Sequence, residues 1–149
     1  MLKDRILAGS VAGMIATLVK AVPNFILWKL GIVKYLYFQV AASALVTPQD
    51  VNTTLGLVVG FITDIITGGS LGLLIVFLFR YTGRDYWWYK GLIVGNLIWL
   101  WGLGELINFG AARIIPLQPA FRLASLVDHQ IFGLTATYLI VKWYPRNEK

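Results

Sequence analysis

Apolar residues in this chain form four long runs, each interrupted by only one or two charges. The runs cover residues 6–28, 51–79, 91–112 and 123–141, and each meets the roughly 20 residues that a helix needs to cross a bilayer. The pattern predicts an all-α fold, an integral membrane four-helix bundle that occupies residues 1–149 as one domain. A shorter apolar stretch, 35–46, cannot span and is interpreted as an interfacial or re-entrant helix.

Composition supports lipid as the solvent of these helices. Hydrophobic residues make up 58% of the chain and charged residues 13%, whereas soluble domains carry about 25% charged residues. The net charge is +6, but the basic residues lie at the ends of the predicted spans rather than on one soluble face. We therefore expect a lipid bilayer as the surroundings and no nucleic-acid partner. The chain has no cysteine, which excludes disulfides and thiolate metal sites.

Lysine and arginine are distributed unequally between the two predicted sides, and this predicts the orientation. The positive-inside rule assigns the richer side, which includes both termini, to the cytoplasm. That side holds eight basic residues: Lys3, Arg5, Arg80, Arg84, Lys90, Lys142, Arg146 and Lys149. The other side holds four: Lys29, Lys34, Arg113 and Arg122.

The second run contains one charge, and it lies on a stripe of glycines. Gly56, Gly60, Asp64, Gly68 and Gly72 follow each other at intervals of four and therefore share one face of a helix. Small residues on such a face let another helix approach closely, so Asp64 is expected to point into that contact. A charge at mid-membrane costs at least about 2.5 kcal/mol, which makes an intramembrane carboxylate a functional-site hypothesis.

The other runs repeat this combination of small residues with polar or ionisable ones. Lys20, Glu105, Asp128 and His129 are expected at one level in the outer half of the bundle, with Asp64 deeper. Three carboxylates against one ammonium cannot all remain charged in a low dielectric, so at least one of Asp64, Glu105 and Asp128 is predicted to take up a proton near neutral pH or to bind a cation. The candidate ligand- or proton-binding residues are Lys20, Asn24, Asp64, Glu105, Asp128 and His129. The predicted packing residues are Gly9, Gly13, Gly56, Gly60, Gly68, Gly72, Gly91 and Gly95.

Two other interpretations of the polar residues stay open. Lys20 could pair with Asp64 or Glu105 only to lock the bundle, since intramembrane charges commonly pair. Asp128 and His129 are weaker metal-ligand candidates, because adjacent helical residues diverge by about 100° and need partners such as Glu105 from another helix. The sequence contains no nucleophile elbow, Walker loop or zinc-protease helix motif, so an enzyme is less favoured and no cofactor is expected.

The two halves of the chain share a short pattern that indicates an internal repeat. A glycine pair four residues apart opens each half, at Gly9 and at Gly91, and each half later has an aspartate five residues before a glycine, at Asp64 and at Asp128. Two-helix repeats each return the chain to its starting side. The halves are therefore interpreted as parallel pseudo-repeats about an axis along the membrane normal, which would make Asp64 and Asp128 symmetry mates near that axis.

The last run also carries a family resemblance. Its His129-x-x-Phe132-Gly133 and Tyr138 region resembles that of the small four-helix bacterial inner-membrane proteins grouped around the YagU family. The resemblance implies a bacterial inner-membrane protein without an assigned reaction, and it draws attention to His129.

Taken with the buried charges, these patterns predict a small transporter, channel or ligand-binding membrane module. The alternative from another class is a structural or assembly subunit that docks through its glycine faces on a larger complex or on further copies of itself. A metal-dependent membrane enzyme using Glu105, Asp128 and His129 is the third hypothesis. A polar cavity would favour the first, and a dry, fully paired core the second.

Overall fold

A computed structural model describes residues 4–143 of the 149-residue chain, except for the side chains of residues 103 and 105–108. Within that part the fold is all-helical and contains no strand, as predicted. The helices are α1 (Arg5–Lys29), α2 (Tyr37–Ala42), α3 (Thr54–Thr82), α4 (Trp87–Ile98), a π-type segment (Trp99–Ala111) and α5 (Pro119–Trp143). Two of them, α1 and α3, are long and apolar enough to cross a membrane, judged by length and composition.

The second predicted run, 51–79, is displaced by three residues from the helix that forms. Helix α3 begins after Thr53, whose hydroxyl accepts a hydrogen bond from the Gly56 N–H at 3.0 Å, so Thr53 satisfies one of the unpaired donors of the first turn. The helix ends at Gly83, which adopts φ 71°, a left-handed value that glycine tolerates best. The capping residues Thr53 and Gly83 therefore determine where α3 begins and ends, and the limits of the hydrophobic run do not.

The third predicted run, 91–112, is not a regular α-helix. Helix α4 starts at Trp87, and from Trp99 the chain continues as a π-type helix with a wider turn, interrupted at Gly110 with φ 87°. The position predicted for Glu105 assumes the rotation of about 100° per residue of an α-helix. That rotation does not hold in a π-type segment. The Trp99 Nε1–H donates to the Arg122 carbonyl oxygen at 3.1 Å and to Ser125 Oγ at 3.0 Å, which connects the start of the segment to α5.

Two further boundaries differ from the sequence prediction. Helix α5 begins at Pro119 rather than at 123, because proline is well suited to the first helical position, where its missing N–H has no partner to lose. The predicted short helix at 35–46 is real but covers only Tyr37–Ala42, with turns after it.

Helices α1 and α3 cross with their glycine faces in direct contact. A Cβ added at Gly13 would overlap the Gly68 carbonyl, and one added at Gly72 would overlap the Gly9 carbonyl. Helix α1 also packs on α5, and α2 lies against α3, where the Gly60 stripe position meets the backbone of Phe38. The glycines predicted to pack on α1 and α3 are therefore in contact within the chain.

Helices α4 and α5 make a second glycine crossing. Gly91 faces the Gly133 carbonyl, and Gly95 faces the backbone of His129. The bundle thus runs in the order α3, α1, α5, α4, and among the described residues α3 and α4 share no extensive contact.

The two crossings are alike, but they do not make Asp64 and Asp128 equivalent. In the first crossing Gly13 contacts Gly68. The corresponding contact in the second crossing is between Gly95 and His129. Four residues before Gly68 is Asp64, whereas four residues before His129 is Ser125. Asp128 is therefore out of register with Asp64 in these contacts, and the predicted pairing of the two aspartates by symmetry is not what the crossings produce.

The distribution of side chains on α3 is the reverse of that in a water-soluble helix. Its buried face holds the Asp64 carboxylate among glycines, and its exposed face is apolar. The large exposed side chains of α3 before its last turn are Leu55, Val58, Phe61, Ile62, Ile66, Leu74 and Phe77. In a soluble protein the charges would lie outside and the leucines inside.

Candidate functional site

Lys20 and Asp64 form an ion pair between α1 and α3. The Lys20 Nζ donates to Asp64 Oδ1 at 3.0 Å, with residue exposures of 7% and 8%. The predicted pairing of Lys20 with Asp64 is confirmed. Asp64 was expected to lie deeper than Lys20, and the two charged groups are in direct contact.

Asp128 on α5 has a partner that the sequence analysis missed. The Tyr37 hydroxyl, on the short helix α2, donates to Asp128 Oδ2 at 2.6 Å, and both residues are buried. Burial, and then the nearby Asp128 carboxylate, raise the pKa of the Tyr37 phenol well above its ordinary value, so the phenol stays protonated as a donor. The Lys20 Nζ also lies 4.8 Å from the centre of the Tyr37 ring, a cation–π distance that links the two pairs.

Asn24 holds the start of α2 in place. Its Oδ1 accepts a hydrogen bond from the Tyr37 backbone N–H at 3.0 Å, satisfying a donor in the first turn that no residue of α2 can satisfy. Asn24 lies one turn after Lys20 on α1, so one face of α1 carries both the ion pair and the support for Tyr37. Asn24 was predicted to be a ligand- or proton-binding residue. In the structure its amide oxygen positions the start of α2.

His129 is oriented by its own helix. Its Nδ1 lies 2.6 Å from the Ser125 carbonyl oxygen, and because a carbonyl only accepts, Nδ1 must carry the proton. The other ring nitrogen, Nε2, is then the acceptor of the neutral imidazole. The Tyr37 ring stands edge-on to the imidazole at 5.8 Å between centres, and the histidine is 7% exposed.

These groups surround a cavity of about 250 Å³. The polar side chains on its wall are Lys20, Asp64, His129, Thr17, Thr63, Thr67 and Tyr37. Apolar residues of α2, α3, α4 and α5, and Ala112 directly after the π-type segment, complete the wall: Val40, Leu71, Ile98 and Phe132 are among them. Gly102 of the π-type segment also faces the cavity, and a Cβ added there would meet no atom within 4 Å.

Two polar atoms near this cavity are buried without a hydrogen-bond partner in the described part of the chain. They are Asp64 Oδ2 and Asn24 Nδ2. Buried polar atoms are nearly always paired, and leaving one unpaired costs about 1–3 kcal/mol, more when the group is charged. The core around the ion pair is therefore not fully satisfied, because Asp64, a residue of the cavity wall, keeps one buried carboxylate oxygen without a donor.

The structure thus brings together four of the six predicted polar site residues: Lys20 and Asp64 directly, Asp128 through Tyr37, and His129 on the same cavity. Asn24 contributes indirectly, because its amide oxygen accepts a hydrogen bond from the Tyr37 backbone N–H. The side chain of Glu105 lies outside the described residues. Residues 4–143, with the side chains noted above excepted, contain no group of three or more His, Cys, Asp or Glu arranged to hold a metal ion.

Tyr37 carried no periodic signal, because it lies on a helix of six residues. A chemical argument could have pointed to Tyr37. A buried carboxylate needs a hydrogen-bond donor, and Tyr37 belongs to the apolar segment that is too short to span a membrane.

Comparisons with protein-family models, with curated proteins and with solved structures found no match to this chain. The resemblance to the YagU group stays a prediction.

Proposed function

We propose that this protein is an integral membrane protein in which four long helices line a polar cavity that binds a small solute and passes it across the bilayer. The observation that carries the proposal is the position of the Lys20–Asp64 pair. It lies on the wall of a cavity of about 250 Å³ and keeps one carboxylate oxygen unpaired. A pair that served only as a lock would be enclosed and satisfied on every side.

The reversed distribution of side chains supports the membrane part of the proposal. Exposed apolar residues cover α1 and α3 on the sides that face away from the bundle, and the buried residues are small or polar except for Ile75, Val76 and Phe79 near the end of α3. Helix α5 has 25 residues, and α4 continues directly into the π-type segment, so both are also long enough to cross at 1.5 Å per residue. The bacterial inner membrane and cytoplasmic termini are part of this proposal.

The connections between helices support an alternating course through the membrane. The segment after α2 and the segment before α5 meet, since the Arg113 Nη1 donates to the Val46 carbonyl at 3.1 Å and the Ile114 N–H donates to Ser43 Oγ at 3.1 Å. At the opposite end, the Lys90 Nζ donates to the Thr82 carbonyl at 2.8 Å, next to the α3–α4 turn. In the proposed topology these are the external and cytoplasmic ends.

The alternative of an assembly subunit that docks through its glycine faces has less support. Gly9, Gly13, Gly68 and Gly72 contact each other across α1 and α3, and Gly91 and Gly95 contact α5. Faces that the chain itself covers are not free to receive a partner.

A matched pair of cysteine variants tests the cavity and the membrane together, and the natural chain has no cysteine to interfere. Both positions are exposed, but Thr67 lines the cavity, whereas its neighbour Ile66 does not and is 58% exposed on the apolar outer face. In intact membranes we expect Thr67→Cys to react with a small charged methanethiosulfonate reagent and Ile66→Cys to stay unlabelled, because a thiol in lipid does not ionise. Labelling is read by mass spectrometry. Equal rapid labelling of both would contradict the membrane assignment, and no labelling of Thr67→Cys would contradict a wet cavity.

The orientation is tested by cysteines at two exposed loop positions. Gln49, before α3, is expected to be labelled by an impermeant maleimide added to intact cells, and Asp85, in the α3–α4 turn, only after the cells are opened. The reverse pattern would assign the termini to the outside.

A further inference from the structure

We propose that the solute recognised by this cavity is a small organic cation, a primary ammonium ion on a short apolar body. This inference rests on the proposed function and adds the chemical class of the ligand. It is drawn from which hydrogen-bonding groups on the cavity wall are already used, from the charges around it, and from the shape of the apolar wall.

Several hydrogen-bond acceptors among the groups that line the cavity are unused, beside the N–H groups that Lys20 has left after its one bond to Asp64. Asp64 Oδ2 is buried without a partner, and Asp64 as a whole is 8% exposed. His129 uses Nδ1–H to bind the Ser125 carbonyl, which leaves Nε2 with a lone pair. The hydroxyls of Thr17 and Thr63 each donate to a backbone carbonyl of their own helix, so their oxygens remain able to accept. A ligand that satisfies these atoms has to bring several hydrogen-bond donors, and a primary ammonium brings three.

The charges around the cavity also favour a cation as the ligand. Among the described side chains that line the cavity or hydrogen-bond to its wall, Lys20 supplies one positive charge, and Asp64 on the wall and Asp128 behind Tyr37 supply two carboxylates. Lys20 is bonded to Asp64, and Asp128 is held by the neutral phenol of Tyr37, so one negative charge has no cationic partner. A monovalent cation restores the balance in a low-dielectric site, where an uncompensated charge is most costly.

The rest of the wall fits a short hydrocarbon body. Leu71, Ile98 and Phe132, from three different helices, are among the residues that line the cavity. The volume of about 250 Å³ lies below the roughly 300 Å³ at which drug-sized pockets begin. An inorganic cation would leave these apolar walls without a contact, and a large cation would not fit.

Binding of n-butylammonium to the full chain in phosphatidylcholine nanodiscs tests the inference. Isothermal titration calorimetry, with empty nanodiscs as the blank, is expected to show saturable 1:1 binding. We expect 1-butanol, butyrate and sodium ion each to bind at least tenfold more weakly, because each lacks the charge, the donors or the apolar body.

Two variants locate the site by independent routes. Asp128→Asn keeps an acceptor for the Tyr37 hydroxyl and removes only the charge, and it is expected to weaken butylammonium binding at least tenfold. Gly102→Leu leaves every charge in place and fills the cavity, since nothing lies within 4 Å of the position of its Cβ, and it is expected to weaken binding by a similar factor. Asp85→Asn, in the exposed α3–α4 turn, is the matched control and is expected to bind like the natural chain. Circular dichroism and size-exclusion chromatography check the fold of each variant.

Three results would overturn the inference. Butanol binding as tightly as butylammonium would show that charge has no part in recognition, and sodium binding as tightly would show an inorganic cation site. No saturable binding by butylammonium, in a protein whose Thr67→Cys variant is labelled as predicted, would reject the ligand class while the cavity and the membrane assignment stand.

Discussion

Replacing Lys20 by methionine is expected to destabilise the protein by about 3–5 kcal/mol, because it leaves the buried Asp64 carboxylate without its counter-ion. Asp64→Asn, which leaves the ammonium unpaired, is expected to cost a similar amount. The double variant Lys20→Met/Asp64→Asn removes both charges and is expected to recover most of the loss, since a neutral pair of similar volume carries no desolvation penalty. The measurement is equilibrium unfolding of the four proteins in detergent, followed by circular dichroism.

Lys34→Met is the matched control for this cycle. Lys34 lies exposed in the turn before α2, and its loss is expected to change the free energy of unfolding by less than about 0.5 kcal/mol. A double variant destabilised by the sum of the two single effects would show that the 3.0 Å contact contributes no coupling.

The ion pair was predictable because two rules constrained it together. The interval of four along Gly56, Gly60, Asp64, Gly68 and Gly72 assigned Asp64 to a close-packed face. A buried ammonium must then find a carboxylate. Periodicity selects a face of a helix, and charge selects the partner on it.

The second pair could not be reached by the same reasoning. Tyr37 lies on a helix of six residues, too short for a periodic pattern, and its position depends on the Asn24 amide oxygen that holds the first turn of α2. Contacts of this kind depend on how a short connecting segment folds back, which local sequence does not determine.

The third predicted helix shows a different limit. Trp99 begins a π-type segment in which the angle per residue differs from that of an α-helix, so positions assigned to Glu105 by 100° steps have no basis there. The hydrophobic run is equally apolar in either kind of helix. Hydropathy therefore predicted that the segment is helical but not which residues it turns toward the cavity.

The glycine crossing between α1 and α3 brings Lys20 and Asp64 within reach, and Gly72→Ala is expected to disrupt it. A Cβ at Gly72 would overlap the Gly9 carbonyl and lie 2.8 Å from the Gly13 backbone, neither of which can rotate away as a side chain would. The helices must separate, at a cost of about 1–3 kcal/mol or more, which exceeds the roughly 1 kcal/mol that alanine gains over glycine inside a helix. Thermal unfolding in detergent measures the loss.

Gly69→Ala is the control that separates packing from helix propensity. Gly69 lies three residues earlier on the same helix, and its Cβ would be crowded only by the Met14 side chain, at 3.1 Å from Cε, which is flexible enough to shift; the Ser10 carbonyl oxygen, at 3.5 Å, is in ordinary contact. Both variants gain the same helix propensity, so any difference between them measures the close approach of the two backbones. We expect Gly69→Ala to be neutral or stabilising and Gly72→Ala to be destabilised.

Because the separation of α1 from α3 also lengthens the Lys20–Asp64 contact, Gly72→Ala should lose much of the coupling energy measured in the Lys20 and Asp64 cycle. Equal stability of the two alanine variants would mean that the crossing is looser than the contact between Gly72 and Gly9 requires.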